Sequence, residues 1–305
     1  RVLRTNKAAR ALLDLPEVPL YAPIGTLVRH PDLRKVLDES VIRPVSAREV
    51  EVGDRHLLVS SRTLDLGGAV TTLLDVSEVK RLEKVRRDFV ANASHELKTP
   101  LTSIRGFAET LLEGDPPEQL RVGFLNSIRD NTLRLQRLVD DLLDLSRLES
   151  GGWVARVEPV AVSEAARDAW AAYVADAEDR DITFDVEGDA VVLADRSGLG
   201  QVFRNLLENA VRHTEEGGHI HVVTRAAEET VVVEVSDDGE GIPSKALPRI
   251  FERFYRADSS RARDFGGTGL GLAIVRHLVE VMGGGVEAES ELGRGTTIRL
   301  TLPAA

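Results

Sequence analysis

The stretch "FVANASHELKTPLTSI" (Phe89–Ile104) places a His-Glu pair, His95 and Glu96, shortly before Pro100. One reading is a polar surface turn with an incidental proline. The other is a helix that carries chemistry, and the flanking residues favour it. Upstream, Val79, Leu82, Val85, Phe89 and Ala93 recur at three-and-four spacing, and Leu97, Leu101, Ile104 and Ala108 continue the stripe. That period predicts one long amphipathic helix from Ser77 to about Glu113. "EGDPPEQ" (Glu113–Gln119) interrupts it with a glycine and a proline pair. Leu135, Leu138, Leu142 and Leu145 then resume in heptad register as far as Leu148, and "SGG" (Ser150–Gly152) ends the run. Two such helices joined by a short loop make an antiparallel hairpin. A lone hairpin cannot bury both apolar stripes, so two copies forming a four-helix bundle is the expected solution. A monomeric hairpin docked on a neighbouring domain is the alternative. Pro100 removes the N–H that would bond to the Glu96 carbonyl, and its ring crowds that carbonyl, so a bend is expected at the His-Glu turn.

The totals bound what surrounds this hairpin. A chain of 305 residues has room for two or three domains. Apolar residues make up 42%, enough for packed cores, but aromatics only 4%, so the cores rest on Leu, Val, Ile and Ala. The formal net charge of -11 argues against nucleic acid as the main partner, because a phosphate backbone would be repelled. A small phosphate ligand in a local pocket is still allowed. The absence of cysteine excludes disulfides, zinc–thiolate sites and thiol nucleophiles. No continuous apolar window approaches the roughly 18 residues of a membrane span.

Residues 1–76 read as a small mixed α/β unit. "NKAARALLDL" (Asn6–Leu15) has helical spacing, and the segment from Glu49 to Ser77 reads as strands with turns at Gly53-Asp54 and Gly67-Gly68. A sensory domain and a packing or dimerisation module are both compatible with it. Residues 153–305 read as α+β. Helical patterns cover Ser163–Asp179, Ser197–Arg212 and Gly269–Met282, and strand-like runs are "ITFDV", "AVVLAD", "HIHVVTRA", "TVVVEVSDD" and "TTIRLTLP". Tight turns between several of them favour a mixed or antiparallel sheet with helices on one face.

Phosphate chemistry concentrates in this last region. "NLLENAVRHT" (Asn205–Thr214) puts Asn205, Asn209 and Arg212 on one face of an otherwise apolar helix. A carboxamide oxygen can take one position in a Mg²⁺ shell, while a satisfied polar stripe is the plainer alternative. "VSDDGEGIP" (Val235–Pro243) sets Asp237 at a strand end, where a carboxylate can accept from an exocyclic amine, and Gly239 and Gly241 let backbone approach a flat ring; alone it is a turn. "DFGGTGLGLAIV" (Asp264–Val275) runs a glycine-rich loop into a helix N-terminus, an anion cradle whose spacing fits neither the dinucleotide nor the P-loop fingerprint. Between them, Ile250–Gly267 is polar and arginine-rich with Phe251, Phe254 and Tyr255 as anchors. It reads as a lid, or as a solvated loop with a hydrophobic foot.

Taken in order, these pieces resemble the sensor histidine kinases of bacterial two-component systems, closest in pattern to the phosphate-sensing type. "SHELKTPL" is similar to the H box, "NLLENAVRHT" to the N box, "DDGEGIP" to the G1 box, "IFERFYRAD" to the F box, "GGTGLGL" to the G2 box and "GRGTT" to a final glycine box. The helix end "LVDDLLDLSRLESG" (Leu138–Gly151) resembles the family as well. The likeness covers about residues 77–303, and residues 1–76 resemble a PAS domain more faintly.

The resemblance implies a multidomain chain: a PAS-like α/β domain over 1–76, a dimerising helical hairpin with the phospho-acceptor over 77–150, and an α/β-sandwich GHKL-type ATP-binding domain over 151–305. It implies that His95 accepts the γ-phosphoryl group of ATP, that Glu96 fixes its tautomer and serves as base, and that Thr99 orients water for dephosphorylation of the partner. Asn209 would bind Mg²⁺ and Asp237 would read adenine. Gly239, Gly241, Gly267, Thr268, Gly269, Leu270 and Gly271 would shape the pocket and lid hinge. Asn205 and Arg212 would line the phosphate side, His213 would belong to the nucleotide pocket, and Arg256 would be placed to meet transition-state charge. His213 stands where many relatives carry tyrosine, and Asp238 where asparagine is common. ATP-hydrolysing relatives of the same fold carry a glutamate base four residues before the metal asparagine; here that position is Asn205, which cannot take a proton from water. A non-catalytic scaffold would be expected to lack His95 or Asn209. The implied partners are a response regulator, a second copy of the chain and an unknown signal at the PAS-like unit, with no nucleic acid. The implied location is the cytoplasmic portion of an inner-membrane-anchored sensor.

Overall fold

A computed structural model of the chain describes residues 1–15, 21–65, 67–257 and 267–305. They divide into two compact units, Arg1–Ala91 and Asn92–Ala305. In the first, α1 (Lys7–Leu12), α2 (Ile24–Leu27) and α3 (Pro31–Ser40) precede an antiparallel sheet of β1 (Val45–Val52), β2 (Arg55–Thr63) and β3 (Ala69–Asp75), in that order. Both expected turns join these strands. Pro31 sits in the first turn of α3, where its missing N–H costs nothing, and the helix turns Leu33, Val36 and Leu37 onto Val45, Val50, Leu57 and Val59. Full burial of each such side chain is worth about 1.5–3 kcal/mol.

β3 passes directly into α4 (Ser77–Glu113). The Ser77 N–H and hydroxyl donate to Asp75 Oδ1 at 2.9 and 2.5 Å, and these bonds hold the Asp75 carboxyl below its ordinary range. The His56 N–H donates to Ser77 Oγ at 2.8 Å, tying the start of the helix to β2.

In the second unit, α4 turns back through a loop with two prolines into α5 (Glu118–Glu149). Phe107 stacks on Phe124 with ring centroids 5.3 Å apart near the loop, and Glu96 pairs with Arg134 at 3.2 Å farther from it on both helices. That register is antiparallel, as the sequence implied. α4 runs as helix straight through Pro100, its one buried residue, while the Thr99 and Thr102 hydroxyls donate back to the carbonyls of His95 and Lys98.

The remainder is a two-layer α/β sandwich. One layer is a five-stranded sheet, ordered β5 (Thr183–Glu187), β7 (His219–Ala226), β8 (Thr230–Asp237), β10 (Gly295–Pro303) and β9 (Gly285–Glu291). Only β5 and β7 are parallel. A second ladder pairs β4 (Val157–Ala161) with β6 (Val191–Asp195). The other layer contains α6 (Val162–Trp170), α7 (Val174–Glu178), α8 (Arg196–His213) and α9 (Gly271–Val281). Alternation along β7, β8 and β10 buries Ile220, Val222, Val231, Val233, Leu300 and Leu302, and α8 buries Leu199, Val202, Phe203 and Leu207 on its inward face.

One expectation is corrected and two strands were missed. The helix predicted over Ser163–Asp179 is two helices, α6 and α7. Trp170 stacks on Phe184 at 4.3 Å and the Tyr173 hydroxyl donates to the Arg204 carbonyl at 3.1 Å, so aromatic anchoring fixes a break there. The strands β4 and β9 were not predicted, and they owe their form to the partners they pair with.

Candidate active site

α8 starts at an N-cap. Asp195 Oδ1 accepts from the Gly198 N–H at 2.9 Å and from the Ser197 hydroxyl at 2.5 Å, and Oδ2 accepts from the Arg156 N–H at 2.8 Å. Burial opposes the charge, but these bonds hold the carboxyl below its ordinary value. The cap fixes the phase of the helix, which turns Asn205, Asn209 and Arg212 into a cavity of about 1060 Å³. The Nδ2 of Asn205 is buried with no hydrogen-bond partner among the described residues. Such an orphan costs about 1–3 kcal/mol, so a ligand with acceptor oxygens would relieve it.

Across the cavity, β8 ends at Asp237, whose Oδ1 accepts from the Gly239 N–H at 3.1 Å. Burial pushes this carboxyl above its ordinary value despite the backbone donors of Gly239 and Thr296. A buried carboxylate with spare acceptor capacity is matched to an external donor such as an amine. Gly241 has φ +69, and a Cβ there would stand 2.2 Å from the Glu291 carbonyl oxygen, so only glycine fits. His213 also lines the cavity, and its Nδ1 lies 2.7 Å from Glu240 Oε1.

The loop before α9 forms the third wall through Gly267, Thr268, Gly269 and Gly271. Gly269 has φ +70, and its carbonyl accepts from the Phe254 N–H at 2.8 Å, fastening the loop to the segment that holds Tyr255 and Arg256. Two sequence candidates support the cavity without lining it. Leu270 is fully buried in the core beneath the loop. Gly239 packs under the end of α8, where a Cβ would stand 2.1 Å from the His213 carbonyl oxygen. Half of the lid expected over Ile250–Gly267, residues 258–266, lies outside the described residues. Its foot is described: Phe251, Phe254 and Tyr255 are half-buried, and Arg249 stands 4.4 Å over the Tyr255 ring.

The hairpin supplies the other half of the site. His95 and Thr99 are exposed on α4. The Thr99 hydroxyl donates to the His95 carbonyl at 3.2 Å, so it is turned onto the backbone. The Glu96 carboxylate pairs with Arg134 at 3.2 Å and with Arg256 at 3.6 Å, so the candidate base and the candidate phosphate cation meet each other. Sequence reasoning missed the α5 side. The Thr268 hydroxyl donates to Asp141 at 2.7 Å, the Gln201 amide to Asp144 at 2.7 Å, and Glu208 accepts from Arg137 at 3.1 Å and from Arg212 at 2.6 Å. The available signal was "LVDDLLDL", where Asp140, Asp141 and Asp144 interrupt an apolar stripe.

A model of the His Kinase A (phospho-acceptor) domain matches residues 85–151, and a model of the Histidine kinase-, DNA gyrase B-, and HSP90-like ATPase matches residues 194–305. The chain belongs to the two-component sensor histidine kinases. The chain is 36% identical over 251 residues to the sensor histidine kinase WalK of Bacillus subtilis (strain 168), a match covering 78% of the chain and 40% of that protein. It is 31% identical over 313 residues to the sensor protein SrrB of Staphylococcus aureus (strain MRSA252), covering 99% of the chain and 52% of that protein. The chain thus spans about half of these relatives or less. The crystal structure of the histidine kinase ThkA in complex with the response regulator protein TrrA shares its fold at a TM-score of 0.58, with 24% identity over 100% of this chain and 93% of that one. Among the described residues, no helix is long and apolar enough to cross a membrane.

Proposed function

We propose that this chain is an ATP-dependent protein-histidine kinase that phosphorylates its own His95 and passes the phosphoryl group to an aspartate of a response regulator. The unprotonated ring nitrogen of His95 attacks the γ-phosphorus of ATP. An N–P bond forms, the bond from that phosphorus to the β–γ bridging oxygen breaks, and ADP leaves with the bond pair. Glu96 fixes the other ring nitrogen and accepts its proton. Asp237 accepts from the exocyclic amine of adenine, Asn205 and Arg212 face the phosphates, and the backbone around Gly267, Gly269 and Gly271 cradles them. Asn209 would hold Mg²⁺, whose charge screens the phosphate oxygens. Among the described residues, no group of three or more His, Asp or Glu is placed to hold a metal, so that ion would take its other oxygens from phosphate and water. Thr99 serves the reverse traffic, orienting water against the phosphorylated regulator.

One observation carries this reading: the Glu96–Arg256 pair at 3.6 Å joins the acceptor turn to the cavity wall. The exposed Leu101, Leu112, Leu120 and Leu133 of the hairpin support a second copy packing there as a four-helix bundle. Within this proposal, residues 1–76 are the PAS-like sensory unit, 77–150 the phosphotransfer hairpin and 151–305 the ATP-binding domain. The chain works on the cytoplasmic side, as part of an inner-membrane-anchored sensor.

Incubation with γ-labelled ATP and Mg²⁺ tests the proposal. Acid-labile, alkali-stable label on the protein is expected, and it should vanish in His95→Ala while nucleotide binding persists. Release of free phosphate with no labelled protein would overturn it.

A further inference from the structure

The last carbonyls of a helix have no partner within it, and that end is electronegative. At the end of α8 a side chain from outside the helix takes two of them. Arg180, half-buried on the turn between α7 and β5, donates from Nη1 to the Val211 carbonyl at 2.6 Å and from Nη2 to the Thr214 carbonyl. A planar fork with two donors suits two carbonyls, where an ammonium is a single point charge. The Arg180 carbonyl accepts from the Gly217 N–H at 2.9 Å, so main chain and side chain together grip the segment from Val211 to Gly217 at three points. Asp181, next in sequence, has φ 54, a left-handed conformation that costs a non-glycine residue energy and persists where the surroundings hold it.

This end of α8 is locked to the side of the cavity that holds Asp237. The His213 carbonyl accepts from the Glu240 N–H at 3.2 Å, and Gly239 lies so close beneath it that a Cβ would stand 2.1 Å from its oxygen. Glu240 and Gly239 belong to the turn that follows Asp237. Arg180 itself lines the cavity with Thr214. We infer that Arg180 is a positioning residue for the nucleotide base: by fixing the Val211 and Thr214 carbonyls it sets the last turn of α8 against the turn after Asp237, and so sets where Asp237 meets the amine of adenine. This rests on the reading of the cavity as an ATP site. Guanine carries a carbonyl oxygen where adenine carries that amine, and an ionised carboxylate can only accept, so a well-placed Asp237 welcomes one base and repels the other. Loss of the fork loosens Asp237 and blunts the choice of base. The phosphate side, built from Asn205 and the loop before α9, stays in place.

Calorimetric titration of the full chain with ATP and with GTP, each in Mg²⁺, tests this directly. The wild type should prefer ATP. Arg180→Ala should bind ATP about tenfold more weakly, the order expected when a contact group shifts by less than an ångström, and GTP almost as before, so the preference shrinks by a similar factor. Arg180→Lys keeps the charge at the helix end but cannot span both carbonyls, and its preference should fall between the two. In self-labelling, both variants should raise KM for ATP and keep the rate at saturation. A general loss of structure would weaken both nucleotides alike. An equal drop for ATP and GTP, at a temperature where thermal melts show the variant folded, would therefore overturn the inference. A preference unchanged in Arg180→Lys would also overturn it, since charge alone would then suffice, and this variant decides the matter where Arg180→Ala does not fold. A lower saturated rate with KM unchanged would move Arg180 to the transfer step and overturn it too. The wild type is read first: binding of neither nucleotide would end the kinase proposal and this inference together, whereas binding of ATP without preference over GTP would end this inference alone.

Discussion

The ATP domain and the hairpin dispose of their apolar residues in opposite ways. In the domain, α8 and α9 lay nearly every large aliphatic side chain on the sheet, and Phe203, Leu207, Ile274 and Leu300 are fully buried. In the hairpin, the end near the loop leaves Leu101, Leu112, Leu120, Leu125 and Leu133 exposed. Only toward the end of α5, where it meets α9, are Leu138, Leu145 and Leu148 covered. A five-stranded sheet with helices on it closes a core by itself, whereas two helices present stripes that something else must cover. The domain is thus a finished unit, and the hairpin has one half packed on the domain and the other uncovered.

The sharpest break of that contrast is a matched pair of truncations. Phe203→Ala removes a fully buried ring and should destabilise the ATP domain by about 3–5 kcal/mol, with loss of nucleotide binding on mild heating. Leu112→Ala, at a position 86% exposed, should leave thermal stability within about 0.5 kcal/mol in dilute monomer. Equal losses in thermal melts would show that the hairpin end is as fully packed as the domain.

The next effect lies in the cavity. Asp237→Asn keeps the shape of the side chain but replaces one acceptor oxygen with a donor amide. Facing an adenine amine, the variant should bind ATP and adenosine about tenfold or more weakly, since a donor is left opposed to a donor. Fluorescence titration with both ligands checks it. A loss confined to ATP would move Asp237 from the base to the phosphates.

What could be read in advance follows the same contrast. The hairpin, α8, β7, β8 and β10 were legible because their periods are strong: Val231, Val233 and Val235 alternate, and Leu138, Leu142 and Leu145 keep heptad register. β4 was hidden by Pro159, and β9 by Glu287, Glu289 and Glu291, residue types that strands disfavour. Pairing with β6 and β10 overrides that preference, and pairing is not written locally. Asn205, Asn209 and Asp237, which line the cavity, could be picked out as candidates because they are polar positions among apolar helix and strand patterns. The bonds from Thr268 to Asp141 and from Gln201 to Asp144 were not. Thr268 and Asp141 are 127 positions apart, and their meeting depends on how α5 lies on α9.

The smallest effect concerns that meeting and follows from Asp141. Burial, with added repulsion from Glu208 and Asp144, pushes its carboxyl up to about 6, against the Thr268 hydrogen bond and the attraction of Arg137. Once α5 is released and hydrated, the carboxyl returns toward its ordinary 3.8. The docked state therefore holds the proton more tightly, and docking strengthens as pH falls from about 7 toward 4. Above that window the contribution is flat. Linkage gives about a fourfold shift of the docking equilibrium between pH 7.5 and 5.5. Spin labels at Leu112→Cys and Glu228→Cys, both exposed positions, would report the docked fraction as a distance population without nucleotide. That fraction should rise on acidification in the parent chain and stay constant in Asp141→Asn, which cannot titrate. A rise that persists in Asp141→Asn would assign the pH response to another group and leave α5 a passive support.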